Sequence, residues 1–263
     1  MTIEFSGGGD PARSLSLLWR TQEKVGRGAR SKIGVDGIVR AAISIADADG
    51  LAALSMRRVA ESLEVGTMSL YTYVPGKAEL IDLMLDTVYA ETDKPDQPES
   101  GWRARLEQIA RENWTIYRKH PWMLQVGTTR PPLGPNAMRK YDFELGAVAG
   151  IGLTQIEMDS VLSLVLGHAE GAARRAYEAA STERETGMTD AQWWQANSVM
   201  LTKLMDMSRF PIAAAVGTTV GTAHGTAHDV AHNFEFGLQR ILDGIEVFVQ
   251  RDAEPAETGP DEH

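Results

Sequence analysis

Apolar residues recur at helical spacing through most of the chain, and patterns typical of strands are scarce. In residues 35–49, Ile38, Ala42 and Ile45 fall on one helical face, and Gly50 follows the last turn. Residues 78–91 carry a second amphipathic pattern of the same kind. The pattern therefore predicts an all-α protein.

Two shorter helical patterns lie between these helices, separated by a tight turn. The first covers residues 55–63, where Ser55 can cap the helix. The second covers residues 67–74, where Leu70 and Val74 point inward. Two helices joined by a turn of a few residues predict a helix-turn-helix, whose second helix enters the major groove of DNA.

The stretch LSMRRVAESLEVGTMSLYTYVPGK, residues 54–77, resembles the DNA-binding domain of the tetracycline-repressor (TetR) family. Tyr71 and Tyr73 bracket the end of the second helix, and Lys77 opens the next, which is the family's most specific local signature. The turn departs from the family at Glu64, where glycine is usual, and a left-handed Glu64 would cost about 1 kcal/mol. The resemblance implies a DNA-binding transcriptional regulator.

The second helix should begin with Thr67 as its cap and should leave its polar and aromatic side chains outward. Hydroxyl and cationic groups can donate to phosphates, and short side chains at a helix start can reach base edges. The alternative is an ordinary exposed helix face, and Arg58 could instead pair with an acidic neighbour. Together with the family's pattern, this chemistry gives the candidate DNA contacts Ser55, Arg57, Thr67, Met68, Ser69, Tyr71, Tyr73 and Lys77.

Aromatic residues concentrate on the helical patterns of the second half, mostly as core, and such a domain can still enclose a ligand cavity. Residues 126–132 (VGTTRPP) resemble a turn of the tetracycline-binding members, in which a preceding histidine holds the drug's magnesium ion. Gln125 at that place disfavours tetracycline itself and leaves a related effector pocket. His168 fits either a ligand contact or an interior hydrogen bond. The candidate ligand-binding residues are Trp114, Tyr117, Trp122, Gln125, Phe143 and His168.

The predicted architecture is an N-terminal three-helix DNA-binding domain followed by a larger helical domain for ligand binding and dimerisation. In the family, two helices of each subunit form a four-helix bundle, which places the homodimer interface near residues 159–180 and 234–250. The predicted segments are a flexible basic arm (1–31), the helix-turn-helix domain (32–94), the effector-binding and dimerisation domain (95–252) and a disordered tail (253–263).

Several irregular segments are also expected. Residues 1–10 should be disordered, and residues 12–24 should form a short helix that packs on its own domain or docks a partner. Beyond them, Arg27, Arg30 and Lys32 either lie along the minor groove or form a solvated linker. Loops are predicted at residues 181–190 and 211–232. Their His224, His228 and His232 have metal-compatible spacing, but the surrounding Gly and Thr favour a mobile loop.

The net charge of −10 by itself argues against nucleic-acid binding, but the charge is unevenly distributed along the chain. Residues 11–77 hold ten Lys or Arg and six Asp or Glu, a net +4, while the remainder carries −14. Attraction to phosphate depends on the local patch. The chain has no cysteine, no signal sequence and no run of about 18 apolar residues, so a cytoplasmic protein without membrane contact is expected.

The sequence shows no nucleophile elbow, phosphate loop or common metal box, so no enzyme activity, metal or cofactor is expected. The favoured function is a repressor that a small-molecule effector releases from double-stranded operator DNA. A DNA-binding activator or a ligand-independent regulator is the alternative. The basic N-terminal segment disfavours a third class, a helical enzyme or small-molecule carrier without DNA binding.

Overall fold

The computed structural model describes residues 4–21, 34–92, 101–226 and 228–253. Nearly all regular secondary structure in this part of the chain is helical, as the periodicity predicts. Short 3-10 turns occur at Leu51–Ala53 and Pro121–Gln125. The elements in chain order are β1 (Glu4–Phe5), α1 (Pro11–Leu18), α2 (Val35–Asp49), α3 (Met56–Ser62), α4 (Thr67–Tyr71), α5 (Lys77–Tyr89), α6 (Trp102–Lys119), β2 (Val126–Gly127), α7 (Pro135–Gly146), α8 (Gln155–Thr186), α9 (Asp190–Leu204), α10 (Pro211–His224) and α11 (Val230–Ala253).

Helices α2 to α5 form the N-terminal domain, with α2 packed against α3 and α5. Their apolar faces meet in a core that includes the fully buried Ile38, Val59, Leu70 and Leu80. Burying such side chains is the main favourable term that holds these short helices in place. This core does not stop at the domain boundary, because Trp122 and its neighbours in the second 3-10 turn belong to the same apolar cluster.

A second apolar core lies between α6, α8 and α11, the three helices that pack most extensively on one another in the larger domain. Leu106, Val165, Phe234 and Leu238 are fully buried there. The larger domain thus has its own hydrophobic core, while its 3-10 turn is anchored in the core of the N-terminal domain. A displacement of that turn must therefore disturb packing in both domains.

The N-terminal residues differ from the sequence prediction. Residues 4–10 were expected to be disordered within a flexible arm, yet β1 pairs in parallel with β2 and α1 packs on α5. The Asp10 carboxylate caps α1 by accepting from the Arg13 amide at 2.9 Å, and Leu18 is buried. The predicted DNA contacts Arg27, Arg30 and Lys32 and most of the predicted tail lie outside the described residues.

Two segments that the sequence predicts to be loops, 181–190 and 211–232, are largely helical. Helix α8 runs on to Thr186 and ends at Gly187, which adopts φ 69°. Helix α10 occupies most of the predicted loop 211–232 because Pro211 opens its first turn, three consecutive alanines follow, and Gly225 ends it at φ 67°. Within the described ranges, no group of three or more His, Cys, Asp or Glu side chains is placed to hold a metal ion.

Helices α9 and α10 bury none of their side chains within the chain. Large apolar groups such as Trp193, Leu204, Phe210 and Ile212 are exposed on or beside them. No helix of the described residues is both long and apolar enough to cross a lipid bilayer.

Candidate nucleic-acid interface and effector region

Helix α4 is fixed from beneath by apolar contacts. Leu70 and, just beyond the helix, Val74 are fully buried, which orients the opposite face of α4 toward solvent. That face presents Met68, 78 % exposed, and Tyr71, 43 % exposed, together with the exposed Ser69. A short helix with one anchored side and one polar, accessible side is the geometry that a major-groove reader requires.

The N-cap and the end of α4 differ from the sequence prediction, whereas the turn before it has the conformation that the prediction allowed for. Glu64 adopts φ 57°, the left-handed conformation anticipated at the position where the family usually has glycine. Gly66, rather than Thr67, is the N-cap, and α4 ends at Tyr71 instead of continuing to residue 74. Thr67 is therefore the first helical residue, half-exposed, and its hydroxyl is not used as a cap.

The other candidate DNA contacts have different surroundings. Ser55 caps α3 by accepting from the Arg58 amide at 3.2 Å. Tyr73 was expected to point outward, but it is half-buried against the domain core because it lies at the turn that returns the chain toward α5. Lys77 forms an ion pair with Glu4, its Nζ lying 2.8 Å from the carboxylate.

Two adjacent arginines on α3 are held differently. The Arg57 side chain is 81 % exposed and its Nε lies 3.6 Å from Glu61. The Arg58 guanidinium instead forms an ion pair with Asp49 at the end of α2, the alternative that the sequence left open. Arg57 is thus the more available cation of the two.

Helix α5 connects the N-terminal domain to the larger domain through a carboxylate that the sequence analysis did not single out. Asp86 accepts hydrogen bonds from the amide of Ala137 at 2.8 Å and of Asn136 at 3.1 Å, and so caps α7 from another domain. Burial raises the pKa of Asp86 above 3.8, although these hydrogen bonds act in the opposite direction. The sequence feature that could have identified Asp86 is its place, as an acidic residue, on the inward face of an amphipathic helix.

His120 forms a second connection between the domains. Its Nδ1 lies 2.8 Å from Asp47 on α2, its Nε2 lies 3.1 Å from Glu91 beyond α5, and its ring is buried. The Trp122 indole also donates to Asp47, at 2.9 Å. Glu91 pairs with Lys119 in addition. Burial acts to raise the pKa of Glu91, but the hydrogen bonds from Lys119 and His120 outweigh it and hold the pKa below 4.5.

Protonating Glu91 should weaken this connection at acid pH. Because the pKa of Glu91 is lower in the folded protein than in the unfolded chain, its stabilising contribution is present above pH 4.5 and is lost as the pH falls below it. We therefore expect Glu91→Gln to lower the urea midpoint at pH 7 and to have a smaller effect at pH 3.5. Glu178→Gln, an exposed change on α8, is the control. An effect of Glu91→Gln that did not change with pH would contradict this assignment.

The six predicted ligand-binding residues do not share one surface. Trp114 and His168 both pack on Phe234, with ring centroids 4.2 and 5.5 Å away, and Phe143 joins the same apolar cluster. The Nε2 of His168 donates to the Phe234 carbonyl at 2.8 Å, which is the interior hydrogen bond that the sequence left open.

The remaining three residues lie toward the N-terminal domain. Trp122 is buried in the core of that domain and Tyr117 packs against it. The Gln125 amide donates to the Tyr177 hydroxyl at 2.9 Å. Aromatic composition alone cannot distinguish buried core positions such as Trp122 from positions that line a pocket. The group that fixes the Trp122 indole is the Asp47 carboxylate, which is far away in the sequence.

A cavity and a groove open onto the larger domain. A mainly apolar cavity of about 500 Å³ is lined by Thr182, Thr186, Met188, Asp190, Trp193 and His228. A polar groove of about 330 Å³ runs between the domains and includes Asp47, Gln125, Tyr177 and Arg184. Both are of a size that admits a small molecule.

Comparison with known sequences decides the family. The family model described as "Bacterial regulatory proteins, tetR family" matches residues 38–84, which contain the helix-turn-helix. The model described as "Tetracyclin repressor-like, C-terminal domain" matches residues 94–249. The chain belongs to the TetR family. It is therefore a DNA-binding transcriptional regulator that acts as a dimer, and not an enzyme.

Individual relatives agree with this assignment. The chain is 48 % identical over 257 residues to the HTH-type transcriptional repressor DrrR1 of Streptomyces coeruleorubidus, covering 97 % of this chain and 93 % of the relative. Among solved structures, apo ActR of Streptomyces coelicolor has a TM-score of 0.68 at 26 % identity, covering 85 % of this chain and 99 % of ActR. ActR in complex with actinorhodin has a TM-score of 0.69 at 27 % identity, covering 83 % and 97 %.

Proposed function

We propose that this TetR-family protein is a cytoplasmic repressor that occupies a near-palindromic operator and is released by a small, mainly apolar effector bound in its larger domain. The observation that carries the proposal is the arrangement of α4 and α5. One presents an exposed DNA-reading face, and the other continues from it to cap α7 in the larger domain through Asp86. The similarity to the repressor DrrR1 over nearly the whole chain supports repression rather than activation.

Release requires that the effector bind the released conformation more tightly than the DNA-bound one. The domain connections through Asp86 and His120 supply a route, because a shift of α7 or of the second 3-10 turn displaces α5 or α2. A coupling of about 1–3 kcal/mol would weaken operator binding by roughly 5- to 150-fold. The aromatic cluster of Trp114, Phe143 and Phe234 and the apolar cavity beside Trp193 favour a flat, apolar ligand.

The dimer interface is proposed on α8 and α11, the helices expected from the sequence. These helices pack on each other within the chain and leave Leu164, Val247 and Phe248 exposed on their outer faces. A self-complementary apolar face of this kind favours a two-fold dimer, whose two α4 helices then read two half-sites of one palindrome.

The proposal is tested with the full-length protein and DNA from upstream of its own gene. Footprinting should give one protected site with two-fold sequence symmetry. Actinorhodin, the ligand in the ActR complex, is the first effector probe, and it should lower operator affinity while operator DNA lowers actinorhodin affinity by the same factor. Protection of a single asymmetric half-site would contradict the dimeric arrangement. Binding of actinorhodin with equal affinity in both titrations would show that it is not the inducer.

Two tyrosines at the end of α4 should behave differently when replaced. Tyr71 is exposed, so Tyr71→Ala should leave folding intact and weaken binding to all DNA sequences alike, as removal of a phosphate contact does. Tyr73 is half-buried against the core, so Tyr73→Ala should mainly lower the thermal midpoint.

Thr67→Ala and Ser69→Ala should instead change base preference, by about 1–3 kcal/mol for each base-edge interaction removed. Gel shifts against a set of single-base operator variants, with melting curves, separate these outcomes. Unfolding of Tyr71→Ala would assign that residue to the core.

A further inference from the structure

Residues 4–19 form a strap that lies against both domains. On the side of the larger domain, Glu4 and Phe5 of β1 pair with Val126 and Gly127 of β2, and the amide of the next residue donates to the Gly127 carbonyl at 3.1 Å. At the other end of the strap, the Trp19 indole donates to the Leu133 carbonyl at 2.8 Å. The position of the strap therefore depends on the segment 126–133.

The same strap is held on α5 of the DNA-binding domain. Asp82, which is 2 % exposed, accepts from the Ser6 hydroxyl at 2.8 Å and from the Gly7 amide at 2.9 Å with a single carboxylate oxygen. A buried carboxylate without such donors is costly, so these bonds give the strap a defined seat on the helix. Leu18 then enters the core of the DNA-binding domain.

This seat places an acidic side chain at the start of α5. The Glu4 carboxylate lies 2.8 Å from the Nζ of Lys77, and both side chains remain about one-third exposed. Lys77 is the first residue of α5 and follows the DNA-reading helix after a short turn. A cation cannot neutralise a DNA phosphate fully while it neutralises a neighbouring carboxylate, because the two anions compete for it.

Glu4 is held next to the backbone of the larger domain by the pairing of β1 with β2. Gly127 lies so close to the strap that a Cβ atom there would be 2.8 Å from the Phe5 ring. Strand register fixes Glu4 opposite Val126, one residue after Gln125. A change of the 126–127 backbone would therefore move Glu4 relative to Lys77.

We propose that the strap is an autoinhibitory element: β1, held on β2, presents Glu4 to Lys77 in competition with an operator phosphate. This inference rests on the proposed role of Lys77 in operator binding and does not depend on the identity of the effector. It assigns to β1 and β2 a regulatory role in DNA affinity that is additional to the reading of sequence by α4.

The first test is operator affinity of the full-length variants Glu4→Gln, Lys77→Ala and the double variant at 100 mM salt. An exposed ion pair has a small effect, so Glu4→Gln should tighten binding about two- to fivefold per protomer, or about 4- to 25-fold for a dimer. In the Lys77→Ala background the same change should have no effect. An equal gain in both backgrounds would indicate general removal of negative charge and would overturn the proposal, as would no gain in either.

The second test separates the strand pairing from the charge. Gly127→Val would place its Cβ atom 2.8 Å from the Phe5 ring and 3.8 Å from the Glu4 carbonyl, so its two methyl groups should push β1 off β2, release Glu4 and reproduce the gain of Glu4→Gln, and combining the two should add nothing further. Thr128→Ala, at the next, half-exposed position, is the matched control and should leave affinity unchanged. Melting curves identify any variant that fails to fold. Absence of operator binding by every variant and by the unmodified protein would refute the proposed function, whereas intact binding without these differences would refute only the strap.

Discussion

Operator binding should weaken by about a thousandfold when the salt concentration rises from 50 to 200 mM. A dimer that neutralises about six phosphates releases the counterions held there, and the affinity then falls steeply with salt. The expectation holds although the protein carries a net charge of −10, because the excess of basic residues lies in the N-terminal quarter. Titrations of labelled operator at four or more salt concentrations give the slope directly. A flat salt response would contradict a phosphate-dominated interface.

Arg57 and Arg58 provide a matched pair for this measurement. Arg57 is largely exposed, so Arg57→Ala should reduce the slope by about one for each phosphate interaction removed, or about two for the dimer. The Arg58 guanidinium is held by Asp49, so Arg58→Ala should lower stability and leave the salt slope near that of the unmodified protein. A slope that falls equally in both variants would show that the pair with Asp49 opens when DNA binds.

The helix-turn-helix could be predicted from the sequence because its determinants are local. Leu70 and Val74 are buried as their spacing predicted, Ser55 caps α3, and Glu64 adopts the left-handed conformation. Each of these features depends on residues within one or two helical turns. Three local predictions were wrong: Gly66 rather than Thr67 caps α4, the helix ends at Tyr71, and Tyr73 is half-buried because the path of the chain after α4 decides whether that ring faces solvent.

The features that could not be predicted depend on partners far apart in the sequence. The strand at Phe5 exists only because Gly127 offers a backbone partner, and nothing in the glycine-rich segment around it signals strand. Likewise, the sequence predicts that Trp122 binds the ligand, but its indole donates to Asp47, a residue far away in the sequence. Helix α10 was missed for a different reason, since its glycines and threonines lower helix propensity while its alanines and end signals favour a helix.

Replacing Lys140 should produce the largest loss of stability of any single change considered. Its Nζ lies 2.5 Å from the Glu144 carboxylate on α7, and the residues are only 8 % and 4 % exposed. Asn113 also donates to Glu144, at 2.8 Å. Lys140→Met would leave the Glu144 charge buried with the neutral Asn113 alone, and breaking a buried pair in this way typically costs about 3–5 kcal/mol. Urea unfolding at pH 7 measures the difference.

A second variant distinguishes the cost of an unpaired charge from a loss of packing. In Lys140→Met/Glu144→Leu both charges are absent, the side-chain volumes are similar, and Asn113 keeps its bond to the Ile109 carbonyl at 2.9 Å. Replacing a buried pair by apolar groups is often close to neutral, so the double variant should recover most of the stability lost in Lys140→Met. Arg57→Met, which removes an exposed pair with Glu61, should cost less than about 1 kcal/mol. If the double variant were as unstable as the single one, packing around α7, and not the buried charge, would account for the loss.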